Sequence, residues 1–308
     1  MQSKRNGLLE LYRFILCFWP LYYHKFFFWL DDGSKFSVVE LAVDFFFVLS
    51  GFFLMRAMRK EKDRPVLKGF WNIIFCRVKP MLFTMCFIAA FNAVCIALFI
   101  RENYFNTLFE LFKYWWFVLF LSLGIGLLYL VYRALKTERR FAIFLVILSA
   151  SMAILQYAVV EKNMFIDELV FFARTLGCIP VGILISYIPM LKQMKFNVSI
   201  PIVIVLIPTL FYFAYNEKTF FVRLLMIGMF AALVYFSSNI SFGLKICDLL
   251  GQLSVRIYLY MAFITMLYIF GLTHHRILFV IDLALATLDL VASIYRQKYK
   301  ALLAVSKA

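Results

Sequence analysis

The sequence predicts an all-α fold, a polytopic transmembrane helical bundle of about ten helices with both termini in the cytoplasm. Three observations predict it. Of the 308 residues, 65% are apolar, where soluble globular domains have roughly 45–50%. Charged residues fall to 16% against a usual ~25%, and mean hydropathy is +0.89. Runs of about 20 mostly apolar residues, the length that crosses a ~30 Å hydrocarbon core, recur from end to end. Together these exclude soluble, fibrous and disordered chains. The net charge of +15, from 32 Lys and Arg against 17 Asp and Glu, would suggest nucleic acid in a soluble protein. In a lipid bilayer the positive-inside bias of loops explains it, so the expected partner is the bilayer and no nucleic-acid partner is expected.

The first span is expected over 7–30. The segment MQSKRNG before it is basic, yet the apolar run carries Glu10 and Arg13 and lacks a small-residue cleavage site, so it reads as a retained helix rather than a signal peptide. Pro20 removes the backbone hydrogen bond to Leu16 and can kink that helix. The second span is expected over 38–55, before the basic segment 56–79 with Arg56, Arg59, Lys60, Lys62, Arg64, Lys68, Arg77 and Lys79. Spans over 80–100 and 114–132 follow, then a second basic connection, 133–140, with Arg133, Lys136, Arg139 and Arg140. The remaining spans are expected over 141–159, 170–188, 199–215, 221–239, 257–273 and 277–295. Lys192, Lys195, Lys245 and the tail residues Arg296, Lys298, Lys300 and Lys307 fall on the same side as the two basic connections if the helices alternate. The opposite loops, with Asp31 and Asp32 or Glu161, Asp167 and Glu168, are short and mixed or acidic. The chain shows no internal repeat or linker, so residues 1–308 read as one membrane domain. The six cysteines are scattered singly without a CxxC and read as reduced, buried filler. No metal site is expected: His274 and His275, in a short outer turn, lack acidic or Cys partners.

Ionisable residues inside spans carry the functional information, because each costs roughly 2.5–3.5 kcal/mol at a helix centre. The first span holds Glu10, Arg13 and His24; the second holds Glu40 and Asp44. Val, Leu and Phe residues of 38–55 offset roughly 4 to 7 kcal/mol of insertion cost, which two central acids would cancel. Those carboxylates must face protein or a wet cavity. One outcome is an interhelical salt bridge, for instance with Arg13 or His24. The other is catalytic: a carboxylate from Asp44 or Glu40 fixes the tautomer of His24 and stabilises its charged form, as a general base requires. Arg13 and His24 are eleven residues apart and share one face of an ideal helix at different depths.

Arg13 and His24 across ten residues, followed by DFFFVLSGFFL at 44–54, resemble the acyltransferase-3 family of bacterial membrane O-acyltransferases. Further landmarks follow in order. CRVKPMLF at 76–83 is similar to the family's basic segment ending in Pro, Arg174 with Gly182 to its Arg-then-Gly helix, and LGQLSVRIYL at 250–259 to its late signature. The resemblance implies a ten-helix, multi-pass protein of the bacterial cytoplasmic (inner) membrane. It implies transfer of an acyl group, usually acetyl from acetyl-CoA, to a hydroxyl of a polysaccharide or other envelope glycan. Acyl-CoA would be a co-substrate, with no cofactor bound. His24 becomes the catalytic histidine and Arg13 its motif partner, with Asp44, Ser50 and Gly51 in the second motif. One position departs: Met261 stands where many members carry a second His. No hydrolase-like extension follows the last span, so the stand-alone form is expected.

In that chemistry His24 removes the acceptor proton, oriented by Asp44 or Glu40. Arg13 could hold donor phosphate or amide groups, or anchor the buried acids. Arg56, Arg59 and Arg77 could dock CoA phosphates, since Arg pairs bidentately with phosphate, although the positive-inside rule already accounts for their charge. Ser50 reads as a packing residue beside Gly51, and Asp282 and Asp289 as interhelical hydrogen-bonding groups. Two other classes stay open: a transporter, since buried charges also mark carriers, and a non-catalytic partner in polysaccharide assembly, suggested by Met261.

Overall fold

Asn6 opens the first helix by accepting hydrogen bonds from the backbone N–H groups of Leu8 and Leu9 (3.0 and 3.3 Å), donors that a helix start leaves without intrahelical partners. The computed structural model describes residues 6–22, 36–99, 116–161, 167–189, 205, 209, 220–239, 244–269 and 275–305. Among them all regular structure is helical: α1 (Gly7–Tyr22), α2 (Phe36–Lys60), α3 (Val66–Phe99), α4 (Trp116–Leu135), α5 (Glu138–Glu161), α6 (Asp167–Ile185), α7 (Phe220–Ser238), α8 (Lys245–Ile269) and α9 (His275–Val305). Among the described residues four stretches are long and apolar enough to cross a membrane: Val66–Val94, Phe117–Leu135, Glu138–Ala158 and Ile277–Arg296.

Four boundaries differ from the sequence expectation, the first being the end of α2, which runs to Lys60 rather than 55. Helix α3 starts at Val66 rather than near residue 80 and runs through Pro80, so residues 66–79 are helix rather than connection. A proline forfeits only its own bond to the carbonyl four residues back, and the flanking turns continue. Helix α8 starts twelve residues before the expected 257, and α9 runs ten beyond the expected 295. Hydropathy locates the apolar stretch of a helix and is blind to polar turns that extend it. The expected span 199–215 lies outside the described residues apart from 205 and 209, as does the first span beyond Tyr22.

The connections are tight where they are described. After α2, residues 61–65 turn into Pro65, whose carbonyl accepts the Gly69 N–H (2.9 Å) at the head of α3. Between α4 and α5 only Lys136 and Thr137 intervene; Lys136 takes a left-handed φ of 59°. That conformation ends α4 as a C′ residue does, and Thr137 Oγ1 accepts the Arg140 N–H (3.4 Å) to start α5.

The described helices gather into two compact units. The first holds the start of α1 through Leu9, α2, α3 as far as Lys79, and α4 to α7; the second holds α1 from Glu10, α3 from Pro80, α8 and α9. In the first unit α2 is the central element. Its Phe45 meets Phe230 of α7 edge-on (5.5 Å), its Phe47 meets Phe117 of α4 (4.8 Å), and Phe45, Phe47 and Val48 are sealed from solvent. In the second unit Tyr12, Cys17, Ile88, Leu278 and Ala286 are buried, and Phe18 of α1 lies against Phe279 of α9.

Outward faces are as apolar as the cores. Leu119, Leu123, Leu127 and Leu130 line one exposed stripe of α4, and Ile143, Ile147 and Ile154 one of α5, at the spacing of a helix face. Water penalises such stripes, whereas hydrocarbon accepts them. Of the cysteines described, Cys17, Cys178 and Cys247 are buried, as expected, but Cys76 and Cys86 are exposed on α3 and are not buried filler.

Candidate active site

Asp44 of α2 is wholly buried and is paired with Arg174 of α6, itself only 1% exposed. The guanidinium Nε donates to Asp44 Oδ1 at 3.1 Å, and Nη2 lies 3.1 Å from the same oxygen. The costly acid of the second span therefore has an interhelical ion pair, and its partner is Arg174, a landmark of the family resemblance rather than Arg13 or His24.

Two glycines bring those helices together. A Cβ placed on Gly51 would overlap the carbonyl of Ile179, and one on Gly182 would overlap the carbonyl of Val48. Backbone thus meets backbone where α2 and α6 cross, as small residues allow within membranes. Seven residues before Gly51 stands Asp44; eight before Gly182 stands Arg174. Only a parallel pair of helices places both contacts so, and alternation of successive spans requires the second and sixth to be parallel. Ser50 sits beside this crossing, where the sequence placed it.

His24 lies outside the described residues. Glu40 is on α2 one turn before Asp44, and its side chain also lies outside them. Arg13 is partly buried on α1, and its Nη1 donates to Glu10 Oε2 of the same helix (2.9 Å). The Glu10 carboxylate rests against Gly251, where any Cβ would collide with it. The glycine of the late LGQLS stretch thus makes room for an acid on α1.

The basic residues expected to dock phosphate are in different situations. Arg56 is exposed. Arg59 is engaged: its Nε and Nη2 donate to the two carboxylate oxygens of Glu138 at 2.9 and 2.7 Å, and its guanidinium lies 5.5 Å from the Tyr187 ring centre. Those hydrogen bonds hold Arg59 above its ordinary pKa against the opposing effect of partial burial. Arg77 is partly buried and donates to the carbonyl of Ile73 (3.2 Å). Arg133, charged by the same rule, is structural: its Nη1 donates to the carbonyls of Glu61 and Arg64 (3.1 and 2.7 Å) and fastens the α2–α3 turn to α4.

The second unit holds a polar group of its own. Asp289 Oδ2 accepts from Thr84 Oγ1 at 2.7 Å and lies 3.5 Å from Arg256 Nε, joining α9, α3 and α8. Asp282, two turns earlier on α9, is fully buried and, with Arg13, lies within electrostatic range of the Cys17 sulfur. Both acids stand out in the sequence as polar residues of the last span, whereas Arg256 stands inside the late signature with nothing to mark its partner. Arg174, Arg256 and Glu138 were each legible as charged residues; what the sequence lacked was any signal joining them to acids or bases 33 to 130 positions away.

The family model for an acyltransferase domain matches residues 6–296, nearly the whole chain. No match was found among curated proteins or among solved structures.

Proposed function

The chain belongs to the acyltransferase-3 family, and from that premise we propose that it moves an acyl group, in the simplest case acetyl, from a CoA thioester to a hydroxyl of a cell-surface polysaccharide or other envelope glycan. Its place is the cytoplasmic membrane of a bacterium. The observation that carries the reading is the joint presence of Arg13, His24 and the 44–54 stretch, whose acid and glycine both bear on α6.

His24 is the general base. It takes the proton of the acceptor hydroxyl, the oxygen attacks the thioester carbonyl, the carbon–sulfur bond breaks, and the leaving thiolate takes up a proton. Asp44, or Glu40 one turn away, orients the imidazole, and the bonds from Arg174 hold the Asp44 carboxylate in place. Arg13 and the basic residues Arg56, Arg59 and Arg77 meet the donor. Full-length protein in nanodiscs, given labelled acetyl-CoA and envelope glycan, should esterify the glycan, and the His24→Ala protein should not. A glycan left unmodified by the wild type, with the glycan transported or assembled normally, would favour a carrier or scaffold role.

A further inference from the structure

The Arg59–Glu138 pair joins two strongly basic stretches. Arg59 stands in the last turn of α2, among Arg56, Lys60 and Lys62; Glu138 is the first residue of α5, followed by Arg139 and Arg140. Arg56, Lys60, Lys62, Arg139 and Arg140 are all exposed. Glu61, paired with Arg64, and Asp63 share that turn, but cations outnumber acids there, and a single carboxylate, Glu138, occupies the Arg59 guanidinium fork. Both oxygens are used, the geometry in which Arg also receives phosphate. The pair is open to water, with the two side chains 47% and 41% exposed, so an incoming anion reaches it without parting any helices.

A second observation comes from Tyr132, on the last turns of α4. Its ring packs edge-on against Phe141 and the residue is 4% exposed, yet its hydroxyl has no hydrogen-bond partner among the described residues. Arg59, Arg133, Glu138 and Asp63 are all within electrostatic range of that hydroxyl. A buried donor without an acceptor is costly, and Glu138, paired with Arg59, makes no hydrogen bond to this hydroxyl. A phosphate, with three oxygens and more charge, has one to spare.

We propose that Glu138 is an internal anion standing in the Arg59 fork and that a phosphate group of the nucleotide donor displaces it, so that Glu138 sets donor affinity by competition. The proposal rests on the CoA-donor reading given above and adds to it a residue that works against binding. Exchanging one anion for another in the same fork leaves Arg59 paired throughout, and the cost of releasing Glu138 is that of an exposed ion pair.

The test uses the full chain in nanodiscs of neutral lipid, with 3′,5′-ADP, the nucleotide end of CoA, as the probe and calorimetry as the readout. Glu138→Gln, which keeps shape and loses charge, should bind 3′,5′-ADP about two- to fivefold more tightly than the wild type. Arg59→Gln should bind more weakly, and the double variant should match Arg59→Gln, because the carboxylate competes only through that fork. Weaker or unchanged binding by Glu138→Gln overturns the proposal and leaves Glu138 a strut that positions Arg59. Tighter retention of added phosphatidylglycerol by Glu138→Gln, without a change for 3′,5′-ADP, also overturns it, by assigning the fork to lipid. The donor reading fails separately: wild-type protein that neither binds 3′,5′-ADP nor transfers acetyl from acetyl-CoA refutes both, whereas normal transfer with no effect of Glu138→Gln refutes the competition alone.

Discussion

Arg174 directs Nε and Nη2 at one oxygen of Asp44, each 3.1 Å away, with both side chains shut off from solvent. Removing one member of such a pair strands a buried charge, at a cost of about 3–5 kcal/mol, whereas replacing both with apolar residues of similar size is often neutral. Arg174→Ala should therefore lower the amount of protein in the membrane and its melting temperature. The double variant Asp44→Leu with Arg174→Met should recover accumulation. If Asp44 orients His24, the recovered protein remains inactive in acyl transfer; recovered activity would confine Asp44 to a structural role.

The glycine crossing makes a second prediction. Gly51→Val and Gly182→Val each force a branched side chain into a neighbouring backbone and should lower the melting temperature sharply in detergent. Gly228 of α7 is the internal control. Among the described residues nothing lies within 4 Å of a Cβ there, so Gly228→Ala should be neutral or stabilise the protein by up to about 1 kcal/mol. Equal effects at the three positions would refute the close approach.

A general base contributes about 10²–10⁴-fold to rate. His24→Ala should lose at least the lower figure in glycan acylation while accumulating normally, measured by ester content of the surface glycan against membrane abundance. Full activity at normal abundance would remove His24 from the chemistry.

If charge alternates across the spans, cysteines introduced at Lys60 and Lys136, in a chain otherwise free of cysteine, should be shielded from an impermeant thiol reagent in intact cells and labelled after lysis. Those introduced at Asp32 and Glu161 should be labelled without lysis. Labelling of position 60 from outside would invert the arrangement.

The elements were legible where composition alone decides them. A run such as 141–159 or 277–295 is apolar enough that lipid is its only stable surroundings, and α5 and α9 contain those runs. Their polar ends are not legible, and residues 66–79 show why: Lys68, Arg77 and Lys79 look the same to a charge count whether the backbone coils or turns. Asp44 was legible as an expense in need of a partner, but the partner is 130 positions away, and nothing in the linear order favours Arg174 over Arg13. Arg59 illustrates the converse. Its charge already had an explanation in membrane topology, and that explanation hid a specific acid, Glu138, on the far side of two helices.

The contact between α2 and α6 also limits how the protein can open. Side chains swing aside within nanoseconds, but carbonyl against α-carbon yields only if a whole helix travels. These two helices behave as one two-ply stave, tied by a buried charge at one level and by glycine at the next. A doorway for any substrate is therefore to be sought among the elements around that stave rather than within it.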